Sequence, residues 1–362
     1  MWDGEMMTRR FAAALMIGLL VGGTSRVALA QATEKGAGVD QDKVVVDEKT
    51  EQIIRGALKW LAAKQNGSGS WSADGNRYEV AMTGYTLMAF LAAGQLPDEG
   101  EYGKTVAKAV SYLLNTCKSD GLIQASNSYG NEVMYSHGIA TIALAEVYGQ
   151  TRDPRIKNKL ESAIKLIIKC QNHEGGWRYQ PRAADADMSV TVLQVVAVRA
   201  AKNAGLDVPQ ETIDRAVAYV LSCYDERSHG FTYQPRNNTP GFARTAAAIY
   251  SLQVCGKYDD PHVKLGADYL SNRSGRGVGR GEWFTYGHFY AAPAMYMIGG
   301  TRWEKWYREV GDLLVKNVKK QGEGCYWTPE WDQRQEGGAL YCTAVYTTIL
   351  AMPYHYVPLY QR

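Results

Sequence analysis

Two aspartates stand two apart, Asp185 and Asp187, in the stretch GGWRYQPRAADADMSVT that runs from Gly175 to Thr191. Carboxylates held that close cannot both ionise cheaply, so one keeps its proton and becomes a general acid. Asp187 also directly precedes the apolar run from Met188, the position of a helix cap. His137 and His288 lie in Tyr135-Ser136-His137-Gly138 and Tyr286-Gly287-His288-Phe289. An imidazole there can carry protons near neutral pH, or sit hydrogen-bonded in a core. Arg182 and Arg236 end two matching Tyr-Gln-Pro-Arg segments. A guanidinium holds a carboxylate or phosphate through two parallel hydrogen bonds, or braces its own loop in a salt bridge. Asp187, Asp185, His137 and His288 are therefore the candidate catalytic residues. Arg182, Arg236, Tyr286, Tyr341 and Cys342 are the candidates for ligand binding.

Several chemistries find no pattern. The six cysteines include no Cys-x-x-Cys pair, which excludes a zinc ribbon. Asp187, His288 and Cys342 could meet only if the fold closes a ring, and neither metal nor cofactor is assigned. Cys117, Cys170 and Cys223 are evenly spaced, one to each of three successive repeats. Helix axes pack about 8–10 Å apart and a disulfide needs Cα atoms within about 7 Å, so buried thiols are expected. The run Asn272–Gly281, NRSGRGVGRG, follows no strand, so its glycines are not a dinucleotide fingerprint. It reads as a basic loop over a mouth, or as a solvated connection. The formal charge is +3, and about +2 without the first thirty residues, too little to point to nucleic acid.

The elements that position these residues repeat. Residues 1–30 read as an export signal: Arg9 and Arg10, an apolar run from Phe11 to Val21, and Ala28-Leu29-Ala30 before Gln31. That run is too short to span a bilayer, and no longer one follows. The mature chain is thus expected to be periplasmic or secreted, with no transmembrane segment. Residues 31–46 read as a tether, and 47–362 as one domain. Turns align on Trp71, Ile123, Trp177, Phe231, Trp283 and Trp327, at steps of 52, 54, 54, 52 and 44 residues. First helices, such as Leu160–Lys169, are amphipathic, whereas second helices, such as Ala81–Ala93, are apolar nearly all round. A helix apolar on every side is buried on every side. Six such hairpins predict an all-α fold, an α6/α6 toroid with the apolar helices as its inner ring. The parallel inner helices would bring their amino termini to one mouth, where free N–H groups favour anions.

The segment Gly56-Ala57-Leu58-Lys59-Trp60-Leu61-Ala62-Ala63-Lys64-Gln65, closed by Gly69-Ser70-Trp71, is similar to the Gln-Trp repeat of squalene–hopene cyclases. Shorter copies are Gln171 with Gly175-Gly176-Trp177, and Gln321 with Gly324-Cys325-Tyr326-Trp327. From Asp47 to Arg362 the chain resembles a single toroid of the cyclase and protein prenyltransferase superfamily. Within it the nearest likeness is exported bacterial proteins named for prenyltransferase or squalene-oxidase repeats. The resemblance implies that the glutamine and tryptophan lock outer helix to inner helix. It also implies that Asp185-Ala186-Asp187-Met188 matches the cyclases' Asp-x-Asp-Asp, with Asp187 as the alkene-protonating acid and Met188 departing from the pattern. The prenyltransferases' Asp-x-Cys zinc ligands do not occur.

Three classes of function remain open. One is a protein that binds an apolar, isoprenoid-like ligand, with or without acid-catalysed isomerisation or cyclisation. Another is a lyase or hydrolase acting on polysaccharide, since the 24 tyrosines and nine tryptophans suit sugar faces as well as lipid. The third is an interaction scaffold, although the thioester motif Gly-Cys-Gly-Glu-Gln of complement toroids is absent. The sequence does not say whether the protein is an enzyme, and it carries no sign of an oligomeric state.

Overall fold

The computed structural model describes residues 44–73, 78–125, 133–237, 239–274, 283–330 and 337–361. The expected signal, most of the tether, and most of the glycine-rich run lie outside these residues. Asn272 itself belongs to a helix that continues to Ser274.

Six helical hairpins follow one another. The first pairs α1 (Glu48–Ala63) with α2 (Glu79–Ala92), and the second α3 (Gly103–Thr116) with α4 (Val133–Thr151). The third joins α5 (Pro154–Cys170) to α6 (Met188–Asn203), and the fourth α7 (Gln210–Ser222) to α8 (Phe242–Val254). The last two are α9 (Pro261–Ser274) with α10 (Phe284–Ile298), and α11 (Gly300–Lys316) with α12 (Gly338–Ala351). Helix α5 shows why the outer members form. Asp153 caps it by accepting from the Arg155 N–H, Pro154 occupies its first turn, and Ile156, Leu160, Ala163, Ile164 and Ile167 make one buried stripe. Helix α2, by contrast, buries every residue from Val80 to Ala92. The even-numbered helices pack in the order α2, α4, α6, α8, α10, α12, and α12 returns to α2. The expected closed toroid is the fold.

Hydrogen bonds explain the repeated turn. The indole N–H groups of Trp71, Trp177 and Trp327 donate to the carbonyls of Leu61, Ile167 and Leu314 on their own outer helices, at 2.7–2.8 Å. The main-chain N–H groups of Trp71, Trp177, Phe231 and Trp327 donate to Thr83, Thr191, Thr245 and Thr343 near the start of the following inner helix. Gln65 and Gln171 reach forward instead, donating to the carbonyls of Thr105 and Thr212 on the next outer helix. Tryptophan thus closes a hairpin and glutamine joins it to its successor.

Two features depart from the expected pattern. Trp283 does not occupy the buried turn position; it precedes α10 in the left-handed conformation, at φ 64°, and lines the mouth. Gln321 lies in a short antiparallel pair, β1 (Lys319–Gln321) and β2 (Gly324–Tyr326), that packs on α1. There Gln321 accepts from the Trp60 indole at 3.0 Å, and Tyr326 stacks on Trp60 at 5.3 Å. This joins the last hairpin to the first in the outer layer. At the other end of the barrel the turns Met352–Tyr354 and Pro358–Tyr360 fold against the inner helices, where the Leu359 N–H meets Glu146.

Candidate functional site

The amino ends of the inner helices surround a cavity of about 570 Å³, within the range of small-molecule sites. Seven tyrosines reach it. Tyr78, Tyr85, Tyr286 and Tyr341 come from the α2, α10 and α12 side, together with Trp283, Ala81 and Met82. Tyr135 comes from α4, and Tyr179 and Tyr233 from the loops that enter α6 and α8. Ser136, Ser189 and Arg244 complete that second wall, and Arg244 carries the one charge among the described lining residues. Its guanidinium donates to the Thr239 carbonyl. Edge-to-face contacts fix the floor, with Tyr85 against Phe289 at 5.0 Å and against Tyr341 at 4.8 Å.

The repeated loops place their tyrosines through the main chain. The Tyr179 carbonyl accepts the Met134 N–H at the start of α4, and the Tyr233 carbonyl accepts the Met188 N–H at the start of α6. Each loop therefore satisfies an orphan donor of the preceding inner helix. The side chain of Gln234 reinforces this by donating to the Ala186 carbonyl and to Asp185.

Behind this wall lies the aspartate pair. Asp187 is fully buried and caps α6, accepting from the main chain of Ser189 (2.8 Å) and Val190 (3.0 Å) and from the Ser189 hydroxyl (2.5 Å). Arg178 donates to its other oxygen at 2.8 Å and lies 3.4 Å from the half-exposed Asp185. Burial pushes the Asp187 carboxyl above its ordinary range, while Ser189, Val190 and Arg178 pull it back by favouring the charged form. Four donors facing one carboxyl are the surroundings of a carboxylate. Arg178 separates the pair electrically, so the two carboxyls need not share a proton.

The histidines face away from the cavity. His137 accepts the Ile123 N–H at 3.2 Å, taking the role that threonines play in four other hairpins. His288 holds the fifth position of its helix, as His137 and Thr83 do, and its Nδ1 is bonded to the Phe284 carbonyl at 2.9 Å. Rings of Phe284, Phe242 and Trp306 surround it. Burial pushes both imidazoles down to about 4, which leaves them neutral at physiological pH. Cys342 points between inner helices, 3.6 Å from the Thr285 hydroxyl. Arg182 and Arg236 are exposed and do not line the cavity.

Of the nine candidate residues, the cavity gathers Tyr286 and Tyr341. It adds Tyr78, Tyr85, Tyr135, Tyr179, Tyr233, Ser189, Trp283 and Arg244, which sequence reasoning did not single out as ligand-binding. One signal was available. Residues two apart on a helix lie about 200° apart, so Tyr135 and His137, or Tyr286 and His288, cannot face the same way.

The family model for the prenyltransferase alpha-alpha toroid domain matches residues 41–202 and 189–272. The chain belongs to that family. Among solved structures, the toroid is similar to an inactive variant of the α-1,6-mannanase of Salegentibacter sp. HEL1_6 in complex with α-1,6-mannotriose. The TM-score is 0.62 at 9% identity, covering 85% of this chain and 100% of that one. It is also similar to a variant of the type II terpene cyclase MstE from Scytonema in complex with its product, merosterolic acid A. There the TM-score is 0.57 at 13% identity, covering 85% and 99%. A second MstE variant, with geranylgeranyl dihydroxybenzoate, gives 0.56 at 13% identity over 84% and 98%. At these identities the likeness is one of fold.

Proposed function

We propose that this toroid binds an apolar, isoprenoid-like molecule in the cavity at its mouth, and that it does so outside the cytoplasm. The observation that carries the reading is the lining: ring faces of seven tyrosines and Trp283, with Ala81 and Met82, and no carboxylate among the described lining residues. Such a surface gains from burying hydrocarbon, at about 25 cal/mol per Å² removed from water. Apolar ligands of cyclases with this fold support it, and the signal-like first thirty residues support export.

Acid catalysis through Asp187 receives no support, because that carboxylate is buried behind Ser189 and bonded to Arg178. The polysaccharide reading shares the aromatic lining, and the mannanase shares the fold. It would need a carboxylate at the cavity to act on a glycosidic bond.

Native mass spectrometry of the protein taken from its own host tests the proposal. The expected spectrum contains a lipid-sized adduct that is lost on delipidation. An Ala81→Phe variant, which fills the cavity from α2, should lose the adduct, bind added geranylgeraniol at least tenfold more weakly, and melt within a few degrees of the parent. A protein that carries no adduct but releases oligosaccharides from a polysaccharide panel would instead establish the glycan-acting alternative.

A further inference from the structure

The two walls of the cavity differ in chemistry. The α2, α10 and α12 side carries Trp283, Ala81 and Met82 beside its four tyrosines, of which Tyr286 spends its phenol proton on the Ser189 carbonyl and Tyr85 packs edge-on against Tyr341. The α4, α6 and α8 side offers hydroxyls, and its hydrogen bonds can be followed proton by proton.

The chain starts at Asp187. An ionised carboxylate only accepts, so the Ser189 hydroxyl spends its one proton on Asp187. The short contact between Tyr135 and Ser189 must then run from the phenol to the serine. That leaves the Tyr135 oxygen with no proton for the cavity and with lone pairs to offer: it is an acceptor. Farther along the wall, Arg178 donates to the Tyr233 hydroxyl at 3.1 Å and can accept nothing in return. Tyr233 and Tyr179 are bonded to each other. Two hydroxyls own two protons, and their mutual bond uses one. Whichever phenol donates within the pair, the other keeps a proton for the cavity. The rings of Tyr135 and Tyr179 lie 5.8 Å apart, so acceptor and donor are neighbours. Arg178 has already been matched by Asp187 and Asp185, and the one charge among the described lining residues is Arg244, whose guanidinium is bonded to Thr239.

We propose that the ligand carries a neutral hydroxyl head group, seated between the Tyr135 oxygen as acceptor and the Tyr179–Tyr233 pair as donor, with its hydrocarbon on the opposite wall. This rests on the apolar-ligand reading above and narrows it. A hydroxyl is the group that both donates and accepts at one atom. A phosphate brings only acceptors under neutral conditions and would leave the Tyr135 lone pairs opposed. Asp187 and Arg178 are positioning residues: each fixes the direction of a phenol without meeting the ligand.

The test uses the full mature chain and three probes, namely geranylgeraniol, the matching hydrocarbon without the hydroxyl, and geranylgeranyl phosphate. Affinities are read by tryptophan fluorescence and checked by calorimetry. The alcohol is expected to bind roughly tenfold tighter than the hydrocarbon, the size of one or two neutral hydrogen bonds. Tyr135→Phe and Ser189→Ala should each bring that ratio toward one, with melting temperatures recorded to show that the variants are folded. Alcohol and hydrocarbon binding equally well to the parent would overturn the head-group inference and leave the apolar-ligand reading standing. A phosphate that binds tightest, and loses its advantage in Arg244→Gln, would overturn it by moving the head group to the rim. Failure of all three probes to bind would remove both readings.

Discussion

Asp187 accepts four hydrogen bonds without contact with solvent, so its removal is felt twice: α6 loses its cap, and Arg178 is left facing Asp185 alone. Asp187→Ala is expected to cost about 3–5 kcal/mol, as for other broken buried pairs with a lost cap. Asp187→Asn keeps an amide oxygen toward Ser189 and Val190 and should cost about 1–2 kcal/mol. Urea unfolding measures both, and an Asn variant as unstable as the Ala variant would show that charge, rather than the cap, carries the site. The cap was legible in the sequence, since Asp187 immediately precedes an apolar helical run. Its partner was not. Arg178 follows a turn tryptophan, and only the folded loop brings it over Tyr179 and Tyr233 and against both aspartates. For the histidines the sequence left proton transfer and a hydrogen-bonded core position open; the fold gives His137 and His288 core hydrogen bonds and turns the tyrosine two positions earlier toward the cavity.

Between elements, the decisive contacts are turn against helix. Gly175 has φ 94°, and a Cβ built there would lie 2.3 Å from the Arg215 carbonyl oxygen on α7. Gly69 and Gly121 meet Lys108 and Ser162 in the same way. Each turn is thus seated on the next outer helix, in the place where Gln65 and Gln171 also reach forward. Gly175→Ala combines left-handed strain with overpacking against main chain, and is expected to destabilise by about 2–4 kcal/mol. Gly67→Ala, where nothing lies within 4 Å, serves as the control and should change the melting temperature little. Equal losses at both positions would mean that backbone freedom, not seating, sets the cost. Repeat spacing and binary pattern made the hairpins and the closed ring legible, because a helix buried all round admits few neighbours. The β1–β2 seam escaped them: three-residue strands leave no periodicity, and their reason for existing is the stacking of Tyr326 on Trp60 from the far end of the chain.

For the whole molecule, a ring of hairpins must also be closed below, and the turns Met352–Tyr354 and Pro358–Tyr360 do this over a buried acid. Glu146, near the end of α4, receives the Leu359 N–H at 3.4 Å and interacts with Tyr250 and Tyr360, and among the described residues no cation pairs with it. Burial pushes its carboxyl from 4.5 to about 8. Between those values the native protein holds a proton that the unfolded chain has released. The stabilising contribution is therefore complete below pH 4.5 and is lost as the pH rises through about 8, on the order of a few kcal/mol in all. Melting temperature is expected to fall between about pH 7 and pH 9 in the parent and to stay nearly level across that window in Glu146→Gln. Below about pH 6.5 the buried neutral His137 and His288, which the unfolded chain protonates, raise stability with pH and oppose the trend. Truncation after Met352 separates the acid from its lid. It should lower the melting temperature at pH 5 and also flatten the profile, because Glu146 then meets water and ionises in the folded state. A parent-like slope in Glu146→Gln would assign the alkaline loss to another group. A parent-like slope in the truncated chain, with Glu146 intact, would mean that the inner helices bury the acid without help from the tail.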